Sequence, residues 1–161
     1  MNGTLTSISN GETVARILHR NWVIGNRLQL GAFALRKNET YISVNRPIIE
    51  SFESDVRLFV ESHPDYQYGI GSYRCVMLDV KDIREIKVTF EGKILNVDVE
   101  VEPRSAHIAS HAGIFTRIGD SNIKKGGTIP QEALPLGLSA DDVLMEVGWS
   151  LIEISTIQEM N

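Results

Sequence analysis

The residue types best suited to chemistry are concentrated in residues 103–113. This segment contains His107 and His111, two of the four histidines of the chain, together with Arg104, Ser105 and several small residues. Imidazole titrates near neutral pH, so a histidine can serve as a general acid or base, or can ligate a metal. A spacing of four residues would place both rings on one face of either a helix or a strand. We therefore expect the two histidines to share a functional surface.

Three interpretations of this segment remain open. A metal site needs further protein ligands, and the segment contains no acidic residue. Asp98, Glu100 and Glu102 alternate just upstream, but acids at alternate strand positions are typical of a solvent-facing surface. The second interpretation is an anion or substrate pocket formed by the two histidines with Arg104 and Ser105. The third is a packed turn in which the histidines bond only to the backbone. We predict no metal ligands.

The charges of the chain are distributed unevenly. The formal net charge is -5, yet residues 1–46 carry six basic and two acidic side chains, a net +4 that leaves -9 for the remainder. A basic region of this kind can attract a small anion, or it can attract the acidic remainder of the same molecule. The residues we select as candidate ligand-binding groups are Arg20, Ser43, Arg46, Arg74, Arg104 and Ser105. Arg74 interrupts an apolar run, so it is either an anion ligand or a member of a structural ion pair.

The elements that would position these residues indicate an α+β fold. Apolar residues at helical spacing predict a helix over 51–62, which His63-Pro64 ends. Ser139 and Asp142 predict the start of a second helix over 139–158, whose broad apolar stripe would pack on a sheet or on a second copy of the chain. Gly148 within it indicates a close approach of another element. Hairpins over 28–44 and 72–101 predict a mostly antiparallel sheet.

Length and composition restrict the class of protein further. A chain of 161 residues is one ordinary domain, and we predict a tail over 1–12 and a single domain over 13–161. We expect a cytoplasmic location and no membrane contact, because the sequence has no long apolar run and its first residues do not resemble a leader. Cys75 is the single cysteine, which excludes disulfide scaffolds and Cys-rich zinc sites. The negative net charge disfavours nucleic-acid binding.

Several short blocks resemble an uncharacterised family of small bacterial proteins. They are Leu18-His19-Arg20, Ala32-Phe33, Tyr41-Ile42-Ser43-Val44-Asn45-Arg46 and Ser110-His111-Ala112-Gly113-Ile114, within residues 17–115. This chain has Ile108-Ala109-Ser110-His111-Ala112 where the family has Asn-Pro-Ala-His-Ala, so Ala109 stands in place of the proline. The resemblance implies a bacterial domain of unknown function without an assigned activity. It carries over His111 first, then Ser43 and Arg46.

A histidine or arginine on a first strand, here His19-Arg20, followed by a strand that contains Tyr41 and Ser43, also resembles ADP-ribosyltransferase-like folds. Such a resemblance implies a nucleotide-directed enzyme with a late catalytic glutamate, for which Glu100 or Glu102 would be the candidate. A match in the order of short blocks specifies a fold less strictly than a motif of fixed spacing does.

Three functional hypotheses follow from the sequence. The first is a domain that binds a small anionic ligand in a pocket joining the basic N-terminal region to His107 and His111. The second is an enzyme in which His111 is the general base, with His107 as a further catalytic candidate and Arg46 or Arg74 holding an anionic group. The third is a homodimeric interaction module that uses the helix over 139–158. No cofactor is indicated by the sequence.

Overall fold

A computed structural model describes residues 6–105, 107–129 and 137–160 of the chain. Within these ranges the protein has an α+β fold, with three α-helices and a seven-stranded antiparallel sheet. The helices are α1 (Phe52–Ser62), α2 (Val80–Arg84) and α3 (Ala140–Glu153). The strands are β1 (Thr13–Ile17), β2 (Val23–Ile24), β3 (Arg27–Leu28), β4 (Tyr41–Asn45), β5 (Tyr73–Asp79), β6 (Thr89–Phe90), β7 (Lys93–Ile94), β8 (Val97–Pro103), β9 (His111–Ile118), β10 (Ser121–Asn122) and β11 (Thr156–Met160).

The sheet is organised around β9. Every residue of β8 pairs with a residue of β9. On the other side of β9, β4 pairs with residues 111–115 and β10 pairs with residues 117–118. The sheet then continues from β4 through β1 and β5 to β11. The two-stranded pairs β2-β3 and β6-β7 lie outside this sheet. The arrangement joins residues 41–45 to residues 111–115, which are far apart in sequence.

The two faces of the sheet are covered differently. One face carries the larger apolar core, in which Val44 and Ile114 of the sheet pack with Val147 and Leu151 of α3. The other face carries a smaller core in which α1 packs over residues of β1 and β5, such as Ala15 and Cys75. No side chain of β4, β8 or β9 belongs to this smaller core. Part of the second face is therefore left open above β4 and β9.

The predicted α+β class and both principal helices are confirmed. Helix α1 starts one residue later than predicted, at Phe52. Helix α3 begins with a capping box in which Ser139 and Asp142 bond reciprocally, as their spacing predicts. A Cβ atom on Gly148 would lie 3.0 Å from Leu30 Cδ1, so a neighbouring element does approach closely at this glycine.

The predicted extent of the last helix is wrong. Helix α3 ends at Glu153, and residues 156–160 form β11, which pairs with β5 along five residues. Apolar residues Ile154 and Ile157 fit helical spacing, but Thr156 and Ile157 also favour a strand. Pairing with the otherwise open edge of β5 satisfies backbone groups there, which decides between the two structures.

The hairpin predicted over 28–44 is wrong, and the hairpin predicted over 72–101 is only partly present. Residues Leu30–Phe33 form a 3-10 helix packed against α3, while β4 pairs with β1 and β9. A turn at Glu91-Gly92, where both residues have positive φ, does join β6 to β7. The long strand that follows, β8, pairs with β9 instead. The sequence pattern thus predicted the strands β4 and β8 but not the strands with which they pair.

The tail predicted over residues 1–12 lies partly outside the described residues. From Thr6 onward the chain packs on the domain: Ile8 is only 5% exposed, and the backbone oxygen of Ile8 accepts a hydrogen bond from Arg84. The described part of this segment is therefore packed rather than frayed.

None of the helices in the described ranges is both long enough and apolar enough to cross a membrane.

Candidate functional site

The open part of the sheet face brings Ser43 and His111 together. In the β4-β9 register Ser43 lies opposite Gly113 and Asn45 lies opposite His111. Because side chains alternate along a strand, Ser43 and His111 point to the same face, away from the larger core. Ser43 Oγ lies 3.1 Å from His111 Nε2, within hydrogen-bond distance. The predicted association of these two residues is thus present in the structure.

Tyr41 and Arg104 complete this group. The ring centroids of Tyr41 and His111 are 6.1 Å apart, and the Arg104 guanidinium carbon lies 4.6 Å above the Tyr41 ring. The backbone N–H of Arg104 donates to the His111 carbonyl oxygen at 3.0 Å. The Arg104 side chain is exposed and makes no ion pair with any described residue. We call Tyr41, Ser43, Arg104 and His111 the sheet-face site.

The sheet-face site favours the neutral form of its histidine. Partial burial lowers the pKa of His111 below its ordinary value of 6.5, and the positive charge of Arg104 lowers it further. At neutral pH the imidazole is therefore uncharged and can accept a proton. The Arg104 guanidinium remains positive, so the site combines a fixed cation with a neutral base.

Gly113 of β9 lies beneath the Tyr41 ring of the sheet-face site. A Cβ atom on Gly113 would lie 2.7 Å from Tyr41 Cδ2 and 3.1 Å from Phe115 Cε2. Glycine therefore allows the Tyr41 ring to lie directly on the backbone of β9. The ring in turn supports the Arg104 guanidinium through a cation–π contact.

Hydrogen bonds to α1 hold the turn that precedes His111. The carboxylate of Asp55 accepts from Ser110 Oγ at 2.6 Å, and also from the Ser51 hydroxyl at 2.9 Å. Asn45 Nδ2 donates to Ser110 Oγ at 2.9 Å. Ser110 is fully buried, so these bonds fix its side chain. Asp55 is thus a positioning residue for the start of β9.

Arg46 follows β4 directly but does not contribute its side chain to the sheet-face site. Its guanidinium is buried and binds both carboxylate oxygens of Glu12, at 2.9 Å from Nε and 3.0 Å from Nη2. It also donates to the backbone oxygens of Thr6 and Ser7. All three guanidinium nitrogens of Arg46 therefore donate hydrogen bonds within the chain, so Arg46 is a structural residue.

The pair also changes the acidity of Glu12. Burial alone would raise the pKa of Glu12, but the hydrogen bonds from Arg46 and the Ser9 backbone, with the charges of Arg46 and Arg84, outweigh that effect. The pKa of Glu12 therefore lies below its ordinary value of 4.5.

Arg20 and Arg74 also lie away from the site. Arg20 is paired with Asp65 at 3.4 Å. Arg74 is paired with Glu159 at 3.2 Å and lies over the Tyr68 ring. The pocket predicted to join the basic N-terminal region to the histidines would draw on Arg20 and Arg46, and each of these guanidinium groups is paired with a carboxylate elsewhere.

The segment around His107 and Ser105 is a turn. Ser105 Oγ accepts hydrogen bonds from the backbone N–H groups of His107 and Ile108, so it stabilises the turn. Residues 107–110 adopt neither helix nor strand, and His107 is exposed. The prediction that both imidazoles share one face assumed a regular element, so it does not apply to this turn.

Two of the three acidic residues at alternate positions of β8 form ion pairs. Glu100 pairs with Arg84, and Glu102 pairs with Arg117 at 2.7 Å. The glutamates implied by the ADP-ribosyltransferase-like resemblance are thus engaged with arginines. Within the described ranges no group of three or more His, Cys, Asp or Glu residues is placed to hold a metal ion. Burial raises the pKa of the Cys75 thiol to about 12, which leaves it protonated and inert at neutral pH.

Tyr41 and Asp55 are the site residues that sequence reasoning did not identify. Tyr41 stands two residues before Ser43 in the same strand, so alternation alone would have placed both on one face. No comparable signal exists for Asp55, because its contact with Ser110 spans fifty-five residues.

No protein-family model, curated protein sequence or solved structure matches this chain. The fold and the site define an α+β protein with a polar, partly aromatic group on the open face of an antiparallel sheet. The family resemblance and the bacterial origin stay predictions.

Proposed function

We propose that the sheet-face site binds a small anionic ligand. The observation that supports this proposal is the grouping of an exposed Arg104, stacked on Tyr41, with the hydrogen-bonded pair of Ser43 and His111. The guanidinium would supply charge and a planar fork of N–H donors, which suits phosphate or carboxylate oxygens. The Ser43 hydroxyl would supply a further donor.

Arg104 is the natural residue to test because its side chain carries no structural ion pair in the described residues. Inorganic phosphate is titrated into the protein at low salt while the His111 ring signals are followed by NMR. We expect saturable shifts at His111. Arg104→Gln should weaken binding about tenfold, the size expected when one charge-assisted hydrogen bond is lost.

A matched control is Arg20→Gln, which removes an exposed arginine that is paired with Asp65 elsewhere on the molecule. It lowers the net charge equally and should leave phosphate affinity unchanged. Equal weakening by both variants would show that only the overall charge attracts phosphate, and the proposal would then be wrong. An absence of shifts at His111 would contradict it as well.

A second candidate function is hydrolysis with Ser43 as nucleophile and His111 as general base. The 3.1 Å separation of Ser43 Oγ from His111 Nε2 and the lowered pKa of the imidazole favour this function. Ser43 Oγ would attack an ester or amide carbon while Nε2 takes the hydroxyl proton and passes it to the alcohol or amine that leaves. Water, deprotonated by the same Nε2, would then attack the acyl-serine and release the carboxylic acid, and the proton would return to Ser43 Oγ. Arg104 would hold an anionic group of the substrate, the role that the sequence assigned to Arg46 or Arg74.

An activity-based fluorophosphonate probe separates catalysis from simple binding. We expect covalent labelling at Ser43, loss of labelling in Ser43→Ala and in His111→Ala, and unchanged labelling in Ser105→Ala. An unlabelled folded protein that still binds phosphate would exclude the hydrolase and leave the binding proposal standing.

The predicted homodimer stays a prediction. The buried stripe of α3, including Val143, Val147 and Leu151, packs within its own chain. Trp149 and Met145 remain about half exposed on the opposite side of the helix.

A further inference from the structure

A large cavity in the described part of the chain lies away from the sheet-face site. It has a volume of about 1050 Å³ and none of Tyr41, Ser43, Arg104 or His111 lines it. Its walls are the segment 26–29, Arg74 of β5, the end of α3 and strand β11. We call it the Arg74 cleft. Its volume matches the upper range of pockets that hold small organic ligands.

Arg74 itself is only partly satisfied within the cleft. Its Nη2 lies 3.2 Å from Glu159 Oε1, while its Nε is buried without a hydrogen-bond partner in the described residues. Nε and Nη2 lie on the same edge of a guanidinium, the edge that binds both oxygens of a carboxylate or phosphate. Glu159 thus binds only Nη2, one of the two nitrogens on this edge. A buried N–H donor without a partner is rare and calls for an acceptor.

The acceptor now in place is weakly held. The Glu159 side chain is 64% exposed and belongs to the edge strand β11. An exposed ion pair contributes about 0–1 kcal/mol, so a ligand anion that engages both nitrogens can displace it. A cation–π contact holds the Arg74 guanidinium in place, because its central carbon lies 4.7 Å from the centre of the Tyr68 ring.

Further groups in the cleft favour an anion with an apolar body. Arg27 is exposed and makes no ion pair with any described residue, so it adds a second positive charge. Leu28, Ile152 and Ile157 line the same cavity and are partly buried. A ligand consisting only of an inorganic anion would leave these apolar walls without contacts.

We propose that the Arg74 cleft binds a small organic anion, with its carboxylate or phosphate on Arg74 and Arg27 and its apolar body against Leu28, Ile152 and Ile157. Glu159 occupies part of the site in the free protein and is displaced on binding. This site is independent of the sheet-face site, and either proposal can fail alone.

Calorimetric titration with three related compounds tests the chemistry. The probes are phenylacetate for a carboxylate, phenyl phosphate for a phosphate, and phenylacetamide as the neutral analogue. We expect one or both anions to bind at least about tenfold more tightly than the amide, since charge-assisted hydrogen bonds are roughly twice as strong as neutral ones. Equal binding of anions and amide would overturn the proposal. The stronger of the two anions identifies the headgroup.

Three substitutions locate the binding. Arg27→Gln should weaken binding of the anion about tenfold, the effect of losing one charged partner. Glu159→Gln should strengthen it severalfold, because the competing carboxylate is removed. Arg104→Gln, which alters only the sheet-face site, should leave the affinity of the cleft unchanged while weakening any separate binding of the anion at the sheet-face site. Each of the first two side chains is exposed, so both variants are expected to fold.

The effect of Glu159→Gln shows whether the Glu159 carboxylate competes with the ligand for Arg74 or helps to bind the ligand. Weaker binding in this variant would show that Glu159 supports the ligand, and the proposed displacement would be wrong. If Arg27→Gln and Glu159→Gln both bind as the unaltered protein does, the cleft is not the site. Weakening by Arg104→Gln alone would assign the anion to the sheet-face site and overturn the proposal for the cleft.

Discussion

Arg46 and Arg104 show how differently one protein can use the same side chain. Arg46 follows β4 and Arg104 follows β8, and the backbone N–H groups donate to the carbonyl oxygens of Ser110 and His111, respectively. Arg46 is buried and surrounded by acceptors from Glu12, Thr6 and Ser7. Arg104 is exposed on an aromatic ring without a carboxylate partner in the described residues.

The difference lies in the number of acceptors that the fold supplies to each guanidinium. A guanidinium carries five N–H donors, and a fold that satisfies most of them leaves little for a ligand. Arg46 is therefore part of the framework, whereas Arg104 can accept a partner. Two of the six basic side chains of residues 1–46, Arg20 and Arg46, are paired with carboxylates.

The largest effect is expected from breaking the buried pair. Arg46→Ala leaves Glu12 buried without its partner, which should lower the free energy of unfolding by about 3–5 kcal/mol. Arg104→Ala removes an exposed cation and should lower it by less than about 1 kcal/mol. Urea denaturation followed by circular dichroism measures both values.

The double variant Glu12→Gln/Arg46→Met provides the control for this comparison. It replaces both members of the pair, so no uncompensated charge stays buried, and it should recover much of the stability lost in Arg46→Ala. Similar destabilisation by Arg46→Ala and Arg104→Ala would show that the contrast drawn between the two arginines is wrong.

Local patterns predicted the elements of this protein better than their partners. The spacing of Phe52, Val56 and Val60 was sufficient for α1, and Ser139 with Asp142 for the start of α3. The partner of β4 could not be read from sequence, because Ser43 meets Gly113 only through pairing over seventy residues. Backbone pairing is similar for every strand, so composition does not encode which strands meet.

The same limit applies to the candidate site. Ser43, Arg104 and His111 were identified by residue type, since hydroxyl, guanidinium and imidazole groups carry chemistry wherever they lie. Arg20, Arg46 and Arg74 were selected for the same reason, but each is bound to a carboxylate from a distant segment. Residue type therefore predicts which side chains can act, and the fold decides which of them are already occupied.

The smallest expected effect is a change in the pKa of His111. Partial burial and the charge of Arg104 hold the pKa of His111 below 6.5, so Arg104→Gln should raise this pKa toward that value, whereas Arg20→Gln should not. At a pH between the pKa of His111 in the folded protein and its pKa of about 6.5 in the unfolded chain, the unfolded chain binds more protons. The contribution of His111 to the free energy of unfolding therefore falls as the pH drops below about 6.5. This decrease stops once the pH is below the pKa of His111 in the folded protein. The pKa is measured by NMR titration of the imidazole C–H signals. If His111 titrates identically in both variants, Arg104 does not act on the imidazole, and the two residues do not form one site.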